Sequence, residues 1–247
     1  MSDAAYETPL PAARRAEVRR QGVSVGLATG LYGVSFGALS VASGLTILQT
    51  QLLSLLLFSG GSQFAVVGIL GAGGSGLSAV ATSTLLGIRN GLYGLQVARF
   101  VTDRGPKRLL AAHLTIDEST AVGIGQREPE AQRLGFWVTG VAVFVGWNTM
   151  TLVGAVVGNA LGEPQTYGLD AAAAAAFCAL LWPRLRGGDA RATAVLAAFI
   201  ALVTIPLVPA GIPVILGAAA AVLVGSMRQG RHETPTRDLA PGEDPLP

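Results

Sequence analysis

Arg89, Asn90 and Tyr93 place a permanent cation, an amide and a phenol inside an apolar run from Leu77 to Phe100. Arginine stays protonated in proteins, and in hydrocarbon it costs about 2.5–3.5 kcal/mol on insertion scales. Such a group needs a partner. The other ionisable side chains inside apolar segments are Asp117, Glu118 and Asp170. Carboxyl groups in apolar surroundings can exchange protons near neutral pH, so these three are candidate proton carriers. Neighbours on a helix point about 100° apart, so one of Asp117 and Glu118 is expected to face a shared core. Asp170, near a segment start, reads equally well as a helix N-cap.

A second polar patch is Phe58-Ser59-Gly60-Gly61-Ser62-Gln63-Phe64. Adjacent glycines weaken a helix by about 1 kcal/mol each. Two readings fit Gly60, Gly61 and Gln63: a broken helix exposing backbone N–H groups to a ligand, or a tight crossing with the Gln63 amide bonded to a neighbour. Trp147 and Asn148 lie near the centre of a third apolar segment. A zwitterionic solute requires an anion site, a cation site and an apolar pocket. Arg89 and the N–H groups at Gly60–Gly61 suit the anion, and the acids suit the cation. Leu, Val and Phe58 side chains suit an aliphatic tail, while Asn90, Tyr93, Trp147 and Asn148 either line the path or simply pack. Arg89 reads equally as a structural ion-pair partner of an acid, and the two roles can coexist.

These residues need walls. Of 247 residues 51% are apolar and 13% charged, with a mean hydropathy of +0.53. Soluble domains carry about 25% charged residues, and several apolar runs reach the ~20 residues a spanning helix needs. The fold class is therefore an all-α, polytopic helical membrane bundle of about 7–8 membrane segments, some broken or re-entrant. Charges gather in the N-terminal tail, at 99–108, 127–133 and 184–191, and in the C-terminal tail. By the positive-inside rule these are cytoplasmic blocks and not a nucleic-acid surface, so no nucleic acid partner is expected and both termini are expected inside. Cys178 lies in an apolar segment and reads as a small buried residue.

In chain order, 1–21 is a cytoplasmic tail, 22–227 the membrane domain and 228–247 a polar, proline-rich disordered tail. The first span, about 22–43, carries Gly26, Gly30, Gly33 and Gly37 on one narrow face, where another helix can approach closely. The second is about 51–70. If the third, 77–101, also crossed, Arg99, Arg104, Lys107 and Arg108 would lie outside; a break near Gly87–Gly91 that re-enters keeps them inside. Residues 109–125 either span or lie partly in the membrane. Later spans are 134–160, with Gly154, Gly158 and Gly162 stepping by four, then 169–182, 192–207 and 212–227. Phe36-Gly37-Ala38 and Val153-Gly154-Ala155 suggest a faint internal repeat.

Four stretches in order resemble the AzlC family, the large subunit of branched-chain amino acid exporters: Phe58–Phe64, Ile88-Arg89-Asn90-Gly91-Leu92-Tyr93-Gly94, Asp117-Glu118-Ser119-Thr120-Ala121 and Gly168-Leu169-Asp170. Trp147 and Thr151 fit a fifth block, and the resemblance covers about residues 22–225. It implies export of leucine, isoleucine, valine and similar amino acids across a bacterial inner membrane, coupled to the proton gradient. It also implies a small hydrophobic AzlD-like partner subunit. The chain departs from the family at Asn90, where a histidine is usual after the arginine, and at Met150, where glycine is frequent. A histidine proton carrier would have to be replaced here by a carboxylate. No cofactor, metal cluster, hydrolase nucleophile or phosphate loop is expected, so the chain reads as a non-enzyme. The alternatives are a passive channel for small polar solutes and a membrane assembly subunit without transport of its own.

Overall fold

In the computed structural model, residues 9–160, 178, 181–182 and 185–219 are described, and none of them forms a strand. They fall into two compact units that divide between Trp182 and Pro183.

The first unit is built on α1 (Ala12–Ala42) and α7 (Pro129–Ala160). These are the two described helices long and apolar enough to cross a membrane. At 31 and 32 residues each is about 46–48 Å long. Helix α1 starts ten residues before the expected first span, because the arginines at 14, 15, 19 and 20 favour helix and interrupt no turn. The two helices run parallel and touch through backbone. A Cβ on Gly22 would lie 2.8 Å from Thr139 Oγ1, and one on Gly30 2.9 Å from the Gly146 carbonyl carbon. Further along, a Cβ on Gly37 would overlap the Thr151 carbonyl oxygen, and one on Gly154 that of Val34. The contact is reciprocal. The two glycines of the faint repeat pack on each other's helix, as a two-fold relation along the helix pair requires. Gly162 lies outside the described residues.

The start of α1 is tied to the start of α7 by charge. Arg14 pairs with Glu17 at 2.9 Å and Glu128 at 3.4 Å, and it donates to Gln126 Oε1 at 2.9 Å. Arg15 pairs with Glu130, whose other oxygen accepts the Leu10 N–H at 2.8 Å. Arg133 adds a 2.6 Å pair with Asp103. Three of the charge blocks read from the sequence thus meet at one end of the unit.

Between α1 and α4 lie α2 (Ile47–Leu56) and α3 (Gly60–Gly71), separated at 57–59. A Thr46–Gln49 capping box starts α2, with N–H to side-chain distances of 3.2 and 2.8 Å. The expected interruption is there, but the chain does not continue in line. Thr50 Oγ1 is 2.7 Å from Ser40 Oγ, and a Cβ on Gly71 would lie 2.6 Å from Ser43 Oγ. A straight helix would separate positions 50 and 71 by about 30 Å. Both arms therefore open at the same end, beside the C-terminus of α1, and 47–71 is a hairpin instead of the expected span.

Helix α4 (Gly76–Val97) runs back to the charged end without interruption. The re-entry expected at Gly87–Gly91 is absent, because the chain has already turned back at 57–59. Gly73, at φ +75°, makes the turn before α4. The segment 109–125 is a second hairpin, made of α5 (Pro106–His113) and α6 (Asp117–Ile124). Gly105, at φ +60°, and Pro106 at the first helical position start it. It opens at the charged end: Gln126 donates to Gln21 Oε1 at 3.0 Å, while its tip residue Leu114 lies 3.1 Å from where a Gly140 Cβ would be.

The second unit contains α8 (Gly188–Thr204) and a helical stretch at 212–219. They pack together where a Cβ on Gly217 would sit 3.3 Å from the Ala197 carbonyl oxygen, and Gly211, at φ +99°, helps turn the chain between them. Cys178 is exposed, against the expectation of burial. On an apolar segment an outward thiol meets no polar penalty when the surroundings are lipid. Residues 228–247 lie outside the described residues.

Candidate functional site

The two hairpins enter from opposite ends and meet at their tips. Phe58, in the first break, lies 5.0 Å from Phe144 and 5.8 Å from His113 between ring centroids; His113 and Phe144 are 5.6 Å apart. Phe144 is midway along α7. The meeting point is thus at the centre of the unit's long axis.

A serine on the returning helix holds the second break, and one on α3 ties the first hairpin to α4. Ser119 Oγ accepts the Ile116 N–H at 3.1 Å and approaches the Leu114 carbonyl oxygen at 2.6 Å, to which it donates. Ser62 Oγ donates to the Ser83 carbonyl oxygen of α4 at 3.0 Å. Unsatisfied backbone groups at a buried helix end are costly, so the Ser119 bonds let irregular backbone exist deep in an apolar unit.

Helix N-termini carry partial positive charge and free N–H groups. The first turns of α3 and α6 both point at the junction, and Arg89 of α4 lies between them. Its Nη2 is 3.0 Å from where a Gly61 Cβ would be, and its Nη1 is 3.4 Å from Asp117 Oδ2. The two side chains are 30% and 26% exposed, so the pair is neither sealed in the core nor on an open surface. A Cβ on Gly61 would press on the guanidinium, which explains a glycine there. Gly60 opposes Trp147, whose Cη2 is 3.6 Å from the corresponding Cβ position. Arg89 Nε and Trp147 Nε1 are buried donors without a hydrogen bond among the described residues. Buried donors of this kind favour a ligand that accepts.

The wall beyond Gly60 is aromatic. Phe36 stacks on Trp147 at 5.9 Å and meets Phe64 edge-on at 5.5 Å, with Tyr32 6.1 Å from Phe64. Phe36, Phe64 and Trp147 are buried, so this surface offers apolar contact with one polar edge.

The structure brings together Arg89, Gly60, Gly61, Asp117 and Trp147 from the sequence-read set. Gln63 is fully buried one turn into α3, and its amide donates to the Ser54 carbonyl oxygen at 3.2 Å; Asn148 is buried on α7 and donates to the Phe144 carbonyl oxygen at 2.8 Å. Asn90, Tyr93 and Glu118 are half-buried beside their neighbours Arg89 and Asp117. Asp170 lies outside the described residues. His113 and Phe144 carried no role in the sequence reading, yet they form the hairpin junction. Apolar patterning gives no signal for them, since an aromatic ring in a membrane segment is ordinarily packing.

The two halves of the site are related. A hairpin followed by a long helix occurs twice, with α4 and α7 running in opposite directions. Arg89-Asn90 and Trp147-Asn148 fall at nearly equal chain distances after the two breaks. Such inverted repeats place a binding site at their interface in many transporters.

The family model described as AzlC protein matches residues 24–161, which span α1 to the end of α7. A protein of Archaeoglobus fulgidus described as an uncharacterized membrane protein is 31% identical over 160 residues, covering 64% of this chain and 70% of that one. No solved structure matches. Family and relative place the chain among membrane proteins with a transport-related role.

Proposed function

The chain belongs to the AzlC family, and from that membership we propose that it is a secondary transporter exporting branched-chain amino acids from a bacterial cytoplasm across the inner membrane. The observation that carries this reading is the position of Arg89, between the first turn of α3 at Gly61 and Asp117 at the first turn of α6. A carboxylate there meets a forked guanidinium and two positive helix ends at once. The aliphatic tail lies against Phe36, Phe64 and Trp147.

The charged end, with Arg14, Arg15, Arg133 and the 99–108 block, is the cytoplasmic side. The hairpin 47–71 then re-enters from outside and the hairpin of α5 and α6 from inside. With the segments after residue 160, the bundle has seven to eight membrane segments, and both termini are cytoplasmic. Asp117 gives up its pairing with Arg89 when substrate carboxylate competes, and a proton taken by Asp117 or Glu118 couples efflux to the gradient. A small AzlD-like subunit completes the complex.

Cells fed leucine-containing dipeptides test the reading. Cells lacking the protein should accumulate leucine that wild-type cells expel, with efflux abolished by a protonophore. Equal leucine retention in both strains would remove this substrate assignment.

A further inference from the structure

Three buried amide oxygens on α2, α3 and α7 have no hydrogen-bond donor among the described residues: Gln51 Oε1, Gln63 Oε1 and Asn148 Oδ1. In each amide the NH2 end donates to a backbone carbonyl. Gln51 Nε2 reaches the Asn148 oxygen at 3.4 Å, Gln63 Nε2 the Ser54 oxygen at 3.2 Å, and Asn148 Nδ2 the Phe144 oxygen at 2.8 Å. A carbonyl only accepts. Turning any amide over would set oxygen against oxygen, so the free acceptor ends are fixed by chemistry.

Two hydroxyls join them. Ser54 Oγ and Thr151 Oγ1 are 3.4 Å apart, and both residues are fully buried. Gln51 and Ser54 sit one turn apart on α2, opposite Asn148 and Thr151 one turn apart on α7, and the Gln63 amide reaches α2 from α3 at Ser54. None of the five carries a charge. The carbonyls at the end of α2 lie at the break, where that of Leu53 accepts the Leu57 N–H and that of Ser54 the Gln63 amide, and a helix C-terminus is partially negative. This is the reverse of the Arg89 site, where a helix N-terminus supplies partial positive charge.

Oxygen atoms alone, neutral and enclosed, match a hard cation. Without a carboxylate the group compensates a single charge far better than a double one. Unwound backbone and half-helix C-termini coordinate sodium in other transporters. We infer that Gln51, Gln63 and Asn148, with the hydroxyls of Ser54 and Thr151, form a site for a dehydrated monovalent cation of the sodium class between the α2–α3 hairpin and α7. Its occupation ties that hairpin to α7, so the ion acts as a second ligand beside the substrate and the proton. A primary ammonium offers the same charge and is the competing occupant.

The test uses the purified full-length chain without amino acid. Its thermal midpoint, read by tryptophan fluorescence, is followed in sodium, lithium, potassium, methylammonium and choline chlorides at matched ionic strength. Sodium should raise the midpoint saturably above choline. Gln51→Leu and Asn148→Leu should weaken the sodium response at least about tenfold, the smaller loss seen when even a ligand's supporting partner is removed. Thr151→Ser, which keeps the hydroxyl, should retain it and shows that the fold tolerates change there. Identical midpoints in sodium and choline, a response to methylammonium alone, or leucine variants that respond like wild type would each overturn the site. Loss of leucine efflux with the sodium response intact would instead fail the export reading alone.

Discussion

Arg89 Nη1 lies 3.4 Å from Asp117 Oδ2, and the pair joins the helix that follows one hairpin to the tip of the other. The guanidinium also abuts the first turn of α3, so one side chain touches both hairpins. Removing Asp117 leaves a part-buried cation unpaired and removing Arg89 a part-buried anion, and either is unfavourable. A competing carboxylate replaces the partner and keeps the balance. The ion pair and a substrate site are in this sense one device.

The opposed hairpins set a topology that labelling can read. In a Cys178→Ser background, single cysteines at Gly74 and Gly105 should react with an impermeant maleimide from opposite sides of the membrane. Position 44, beyond α1, should label with 74 from the outside. Labelling of 74 and 105 from the same side would mean that α4 does not cross.

The α1–α7 contact predicts a sharp contrast between glycines. Gly37→Ala and Gly154→Ala each push a methyl into a facing backbone carbonyl, and overpacking of this kind costs about 1–3 kcal/mol or more. Gly68→Ala has nothing within 4 Å of the new Cβ, and in a helix it should be neutral or stabilising by about 0.5–1 kcal/mol. Thermal midpoints in one detergent measure all three. A Gly37→Ala protein as stable as wild type would contradict parallel packing at this distance.

Acid should loosen the charged end through Glu128. Its carboxyl is held below the ordinary 4.5, first by its own backbone N–H, against which desolvation pushes upward, and then by the Arg14 hydrogen bond and the charges of Arg14 and Arg127. Arg14 is correspondingly raised, mainly by hydrogen bonds to Glu17 and Glu128. A depressed carboxyl stabilises the fold above its unfolded value and loses that contribution as pH falls through the folded one. The midpoint should therefore drop as pH falls below about 4.5. Glu128→Gln should have a lower midpoint at neutral pH and a shallower acid limb. An acid limb unchanged by the substitution would assign the effect to other carboxyls.

Much of the site could be read from residue types, because arginine and adjacent glycines in apolar runs are costly enough to need a reason. Arg89, Gly60, Gly61 and Asp117 do converge, and the stripe of Gly26, Gly30, Gly33 and Gly37 does face a helix backbone. Charge blocks favoured one turn-back before residue 99, and the described residues do bring three of those blocks to one end. The place of the turn-back was misread. A hairpin of two short helices has the same apolar length as one crossing, so hydropathy cannot separate 47–71 from a span. Glycines at 87 and 91 made α4 the weaker helix on propensity alone. What decides the matter is the Gln63 amide bonding back to residue 54, a contact made only once the chain has folded. The role of His113 was equally hidden, since its neighbours Phe58 and Phe144 come from distant parts of the chain.

The most direct measurement is binding of radiolabelled leucine to the purified protein, with leucinamide as competitor and Arg89→Gln as variant. Leucinamide keeps the aliphatic tail and the amino group but lacks the carboxylate. The wild type should bind leucine and be displaced by isoleucine and valine, with leucinamide at least about tenfold weaker, the loss expected when one charge-assisted hydrogen bond goes. Arg89→Gln should bind none of them measurably. Leucine bound equally by wild type and Arg89→Gln, or leucinamide competing as well as leucine, would contradict a carboxylate site at Arg89.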